Sequence, residues 1–208
     1  MDIHIWLAFV AASTALLLIP GPTILLVFSY ALSQGRRVAV ATAAGVALGD
    51  FIAMSTSLAG LGALVLTSAS LFSLLKWVGA AYLIWLGVGL LRSKPTAGLA
   101  AQQAPVTTPQ RIFLHAMTVT ALNPKSIAFF IAFVPQFITT KSALMPQFAI
   151  LIATFVTLAA LNAFAYALLA DRMRARIGRP STLVHLNRAG GLALIGMGLL
   201  TATLRRAT

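Results

Sequence analysis

Between Asp2 and Arg36 the chain carries one side chain that can charge near neutral pH, His4, and the same scarcity of charge recurs in five further stretches. Only helices whose backbone groups pair internally, or closed barrels, place such chain in a bilayer. Each stretch reaches the roughly 20 residues that a spanning helix needs, far beyond the 9–11 of a barrel strand, or comes within two residues of it. Hydrophobic residues make up 60% of the 208-residue chain and charged residues 9%, with a mean hydropathy of +0.95. Together these describe an all-α integral membrane protein. A cleaved signal peptide would begin with a basic region and give way to a polar mature chain. Here Asp2 leads and apolar sequence continues throughout.

Reading for apolar stretches bounded by charge or turn residues predicts six spans, at about 4–32, 38–66, 71–91, 112–138, 146–169 and 187–204. The second and third are separated only by the turn "TSAS". Basic residues concentrate in alternate loops. Arg36 and Arg37 follow the first span, Arg92, Lys94 and Arg111 flank the segment after the third, and Arg172, Arg174, Arg176, Arg179 and Arg188 follow the fifth. Lys76, Lys141, Arg205 and Arg206 fall on the opposite side. Basic loops are retained in the cytoplasm, which places both termini outside. The net charge of +12 therefore reports topology and contact with anionic membrane lipid, not nucleic acid. The absence of cysteine removes disulfides and thiolate metal or redox chemistry.

Near the middle of the chain, 93–110 is rich in Ala, Gln, Pro and Thr without apolar periodicity, and reads as a cytoplasmic linker between two halves, 1–92 and 111–208. Gly21, Pro22, Thr23 and Ile24 in the first half lie over Asn123, Pro124, Lys125, Ser126 and Ile127 in the second, with Pro22 opposite Pro124. Gly87, Val88, Gly89, Leu90 and Leu91 similarly match Gly196, Met197, Gly198, Leu199 and Leu200, at an offset that implies one insertion. Three spans per unit would invert the second repeat relative to the first, an arrangement typical of transporters with interrupted helices near the midplane.

The interruptions themselves are informative. Pro22 and Pro124 suit the first position of a new helix, where the missing N–H costs nothing, and Gly21 and Asn123 then occupy the N-caps. Each break is expected to be a restart whose free N–H groups and positive dipole end point at mid-membrane. Two inverted restarts would converge on one anionic group, making Gly21, Pro22, Thr23, Asn123, Pro124 and Lys125 candidate substrate-binding residues. Proline kinks that serve helix packing are the competing explanation.

Asp50 is the one carboxylate inside a predicted span. A charge there costs at least about 2.5 kcal/mol, so it requires a partner or water, and it is the candidate proton-coupling residue. A structural ion pair with Lys125, or a hydrogen bond to Ser55 or Thr56, is the alternative. Lys125 lies in the first turn of a restarted helix, where its charge opposes the dipole. Asn162 and Tyr166, one turn apart, are expected to bond a neighbouring helix, and the Gly45/Gly49 step to let helices approach closely. Trp77, near Lys76, suits an interfacial belt.

Three pieces, "PGP" at 20–22, "KWVGAAYLIWLG" at 76–87 and "NPKSIAFFIAFVPQF" at 123–137, resemble the LysE/RhtB-type amino-acid exporters, in order and spacing over nearly the whole chain. The resemblance implies export of amino acids or derivatives across the bacterial inner membrane, driven by proton entry, with no cofactor and no enzymatic activity. It leaves the individual substrate and a homo-oligomeric state open. A metalloenzyme or hydrolase would need clustered ligands or a nucleophile with its base. His4, His115 and His185 lie toward span ends, and neither HExxH nor GxSxG occurs. A metal-ion exporter meets the same shortage of ligands, whereas a passive channel or membrane scaffold needs no coupling residue.

Overall fold

The structure, a computed structural model, describes residues 1–19, 21–67, 69–93, 104–139, 142–177 and 180–203. Pro20, Ser68 of the "TSAS" turn, most of the 93–110 linker, and Lys94, Lys141, Arg179, Arg205 and Arg206 lie outside the described residues. So do the side chains of Lys76, Arg172, Arg174 and Arg176.

Among the described residues the ordered elements are all helical. In chain order they are α1 (Ile3–Leu18), α2 (Pro22–Gln34), a 3-10 turn (Gly35–Val38), α3 (Ala39–Thr67), α4 (Ala69–Arg92), α5 (Pro109–Ala121), α6 (Pro124–Ala132), a second 3-10 turn (Val134–Phe137), α7 (Leu144–Ile177) and α8 (Pro180–Thr203). The predicted first and fourth spans are each broken where Pro22 and Pro124 predict. Both prolines are first helical residues, behind Gly21 and Asn123 as N-caps. Across the second break α5 and the segment Pro124–Phe137 are bent by 45°. Two boundaries differ by more than a few residues: α7 runs to Ile177, beyond the expected 169, and α8 starts at Pro180, well before the expected 187, where a proline preset for the first helical position recruits the following polar residues into helix.

Helix direction follows from side-chain contacts. Thr23 meets Thr120 and Asn123, Tyr30 meets His115, and Gln34 meets Thr107, so α2 runs antiparallel to α5. Gly45 lies against Phe113 and Gly49 against Met117, so α3 runs parallel to the same helix. The helical run Pro22–Gly62 is therefore not one long rod. It reverses at Gly35, the single residue described with positive φ (69°), a conformation that glycine adopts without steric cost. Helix α7 runs beside α1, with Trp6 Nε1 donating to Thr154 Oγ1 at 3.0 Å. Helices α4 and α8 are antiparallel, Gly87 against Gly191 and Ala80 against Gly198.

Glycine sets the closest approaches. A Cβ at Gly49 would lie 2.6 Å from the Met117 carbonyl oxygen, and one at Gly87 2.6 Å from that of Gly191. Such small-residue contacts let helix backbones pack where lipid supplies no hydrophobic drive between helices. Beside them Phe129, Phe130, Phe133 and Phe155 form a buried aromatic cluster, with Phe130 edge-on to Phe155 at 4.8 Å and Phe9 edge-on to Phe137 at 5.3 Å, geometries that suit the ring quadrupoles. Outward, Leu7, Val40, Trp77, Trp85, Leu161 and Leu192 are exposed, a surface suited to hydrocarbon and costly in water.

The α3–α5 contact is testable by a matched pair of substitutions. Gly49→Ala puts a methyl group into backbone and should lower the thermal midpoint of the detergent-purified protein, at about 1–3 kcal/mol for overpacking. Gly60→Ala, with nothing within 4 Å of its new Cβ, should leave the midpoint unchanged or slightly raised. Equal behaviour of the two would contradict the close approach.

Candidate functional site

A helix that stops inside a membrane leaves its last four carbonyls unpaired. At the end of α1 these are accounted for by three side chains from other parts of the chain. Lys125 Nζ donates to Leu16 O at 3.1 Å and Ile19 O at 2.8 Å, Asn162 Nδ2 to Leu17 O at 3.1 Å, and Tyr166 OH to Leu18 O at 3.4 Å. Asn162 and Tyr166 thus bond a neighbouring helix, as expected of them. Lys125 begins in the unfavourable first turn of α6, but its flexible stem carries the ammonium to the negative end of α1, where the dipole favours it.

The restarts meet on the other side of the break. Asn123 Oδ1 accepts from Lys125 N at 3.1 Å, capping α6, while its Nδ2 donates to Thr23 Oγ1 at 3.1 Å. Thr120 Oγ1 donates to the same threonine oxygen at 3.3 Å. One amide side chain thereby caps α6 and ties it to the first turn of α2. Gly21, by contrast, gives α2 no side-chain cap, so the N-terminal N–H groups of α2 are left available to a ligand.

Asp50 projects from α3 toward this junction. It is 2% exposed, and its Oδ1 has no hydrogen-bond partner. The alternatives considered from sequence do not occupy it. Thr56 Oγ1 bonds its own helix, donating to Ile52 O and Ala53 O, and the Lys125 ammonium is engaged by α1 carbonyls. Asp50, Lys125, Gly21, Thr23 and Asn123 nonetheless line one cavity of ≈ 20 Å³, together with Leu16, Leu17, Ile24, Val46, Ser126, Ala159 and Asn162. That is room for about one water.

Of the candidate site residues named from sequence, Gly21, Thr23, Asp50, Asn123 and Lys125 line this cavity, and Asn162, expected to bond a neighbouring helix, lines it too. Pro22 and Pro124 stand behind it as the residues that restart α2 and α6. Sequence reading missed Thr120 and Ser126, and the part played by the Leu16 and Ile19 carbonyls. Thr120 lies one turn before Asn123, and that spacing was the available signal; the carbonyls had none.

The family model for LysE type translocators matches residues 5–205. An uncharacterized membrane protein of Vibrio cholerae is 37% identical over 204 residues, 98% of each chain. A homoserine/homoserine lactone efflux protein of Salmonella typhimurium is 36% identical over 207 residues and the full length of both. A leucine efflux protein of Klebsiella pneumoniae is 30% identical over 137 residues, 66% of this chain and 65% of its own. No solved structure matches the chain significantly. The members of this family are transporters, not enzymes, and from the breaks at Pro22 and Pro124 to its last helices this chain belongs to the LysE type translocator family.

Proposed function

We propose that this protein exports amino acids or their close derivatives across the bacterial inner membrane, exchanging them for protons by alternating access. The observation that carries the proposal is the junction itself. Two helix N-termini, a buried carboxylate with one unpartnered oxygen, and an ammonium surround one small cavity at a double break in the backbone. A zwitterion has the complementary charges. Its carboxylate would be held at the restarts by Gly21, Pro22, Thr23, Asn123, Pro124 and Lys125, with backbone N–H groups and dipole acting together. Lys125 spends two of its three N–H donors on α1, leaving one for the substrate. Asp50 would take the substrate ammonium in one stroke and a proton in the other. The relatives named for homoserine, homoserine lactone and leucine efflux support an amino-acid substrate class.

The chain would then be one transmembrane domain of six spans in two inverted repeats, 1–92 and 111–208, joined by a cytoplasmic linker at 93–110. The antiparallel meeting of α2 with α5 and the antiparallel pairing of α4 with α8 support this. A cavity holding about one water is too small for any amino acid, so the halves must move apart before substrate enters. Both termini would be periplasmic, with Arg36, Arg37, Arg92 and Arg111 facing anionic lipid on the cytoplasmic side.

Two measurements test the proposal. Cells loaded with dipeptides should release a subset of amino acids faster when the protein is expressed. Asp50→Asn should reduce that release at least tenfold, and an uncoupler should stop uphill release. Retained release in Asp50→Asn would remove the coupling role, and no release of any amino acid would remove the export reading. Because the chain has no cysteine, single cysteines report topology directly. Ile3→Cys should react with an impermeant maleimide in spheroplasts with intact membranes, and Val106→Cys, exposed at the linker's edge, only after the membrane is opened. The reverse pattern would invert the orientation.

A further inference from the structure

We propose that the C-terminal end of α1, together with Asp50, forms a monovalent-cation site whose built-in occupant is the Lys125 ammonium. Two observations carry this independently. Leu16 O and Ile19 O converge on one point, the position of Lys125 Nζ, at 3.1 and 2.8 Å. The Asp50 carboxylate, 2% exposed and with Oδ1 unpartnered, lines the same cavity. A helix C-terminus bears a partial negative charge, and a carboxylate lining the same low-dielectric cavity adds to the preference for a positive charge there. Carbonyl rings that replace a hydration shell are how proteins hold bare alkali cations, and ends of broken helices coordinate coupling ions in other transporters. The oxygen distances here are those around a potassium-sized ion.

What differs is that the cation is tethered. Its stem runs along Gly21, where a Cβ would lie 3.3 Å from Nζ and 3.4 Å from Cε, so the missing side chain at Gly21 gives the ammonium its place. Charge balance at the break is thus met by the chain itself, and no ion from solution is required. Lys125→Met keeps the stem as far as Cε and deletes the ammonium, leaving an ion-sized space beside two carbonyls in the cavity that Asp50 also lines.

The test is thermal unfolding of purified protein in NaCl, KCl, NH4Cl or N-methylglucamine chloride at equal ionic strength. The natural protein should show the same midpoint in all four. Lys125→Met should unfold earlier in N-methylglucamine and regain roughly 5 °C, saturably, in at least one small-cation salt. The double variant Asp50→Asn/Lys125→Met should lose that response. A Lys125→Met midpoint indifferent to the cation overturns the proposal, as does an equal response in the natural protein or in the double variant. If Lys125→Met does not accumulate, Lys125→Ala with methylammonium chloride gives the same reading. Failure of both variants to accumulate in potassium-rich cells would show that a free cation does not replace the lysine, and would also overturn it. The readout is binding, so it stands or falls separately from export.

Discussion

An unpaired peptide group in hydrocarbon costs several kcal/mol, and this molecule breaks two of its apolar helical stretches, at Pro22 and Pro124. Everything around the junction answers that constraint. The ends of α1 are paired by Lys125, Asn162 and Tyr166, the start of α6 by Asn123, and the breaks bring together segments about a hundred residues apart. Contacts that would be minor on a soluble surface become obligatory here, because water is not available as the alternative partner.

The same constraint separates the two buried charges. Had Asp50 and Lys125 formed a direct pair, the junction would be neutral and satisfied, with nothing left to offer a ligand. Lys125 is instead committed to carbonyls, and Asp50 Oδ1 stays unpartnered. A buried polar atom without a hydrogen bond is costly, and a ligand or proton that visits Asp50 would satisfy it. The start of α2 behind Gly21 has no side-chain cap, and with Pro22 lacking an N–H and Leu25 N donating to Gly21 O, the N–H groups of Thr23 and Ile24 are the donors a ligand could meet there.

The sequence disclosed what depends on local chemistry. Proline admits few positions in a helix, so Pro22 and Pro124 marked both breaks and made Gly21 and Asn123 their caps. A lone carboxylate among apolar residues marked Asp50. Partners remote in sequence were not readable in the same way. Lys125 looked misplaced on its own helix because the dipole that favours it belongs to α1, and a carbonyl oxygen has no identity in a sequence. Thr23 was visible as a site residue, but its role as the shared acceptor for Thr120 and Asn123 depends on how α2 crosses α5. The continuous helical run from Pro22 to Gly62 shows the converse: hydropathy separates two spans there more clearly than backbone pairing does, since only the single positive φ at Gly35 turns the chain back.

Opening the cavity must respect these pairings unequally. The contacts of Lys125, Asn162 and Tyr166 with α1 join that helix to α6 and α7, and breaking them would strand carbonyls in the membrane. The ties between α2 and α5 are of another kind: Thr23 to Thr120, and Tyr30 OH to His115 Nδ1 at 2.9 Å. Hydroxyl and imidazole groups exchange one another for water at little cost once water enters. A motion that kept α1 with α6 and α7 and parted α2 from α5 would therefore be the less costly one, with the Asn123–Thr23 hydrogen bond as the further tie it has to break.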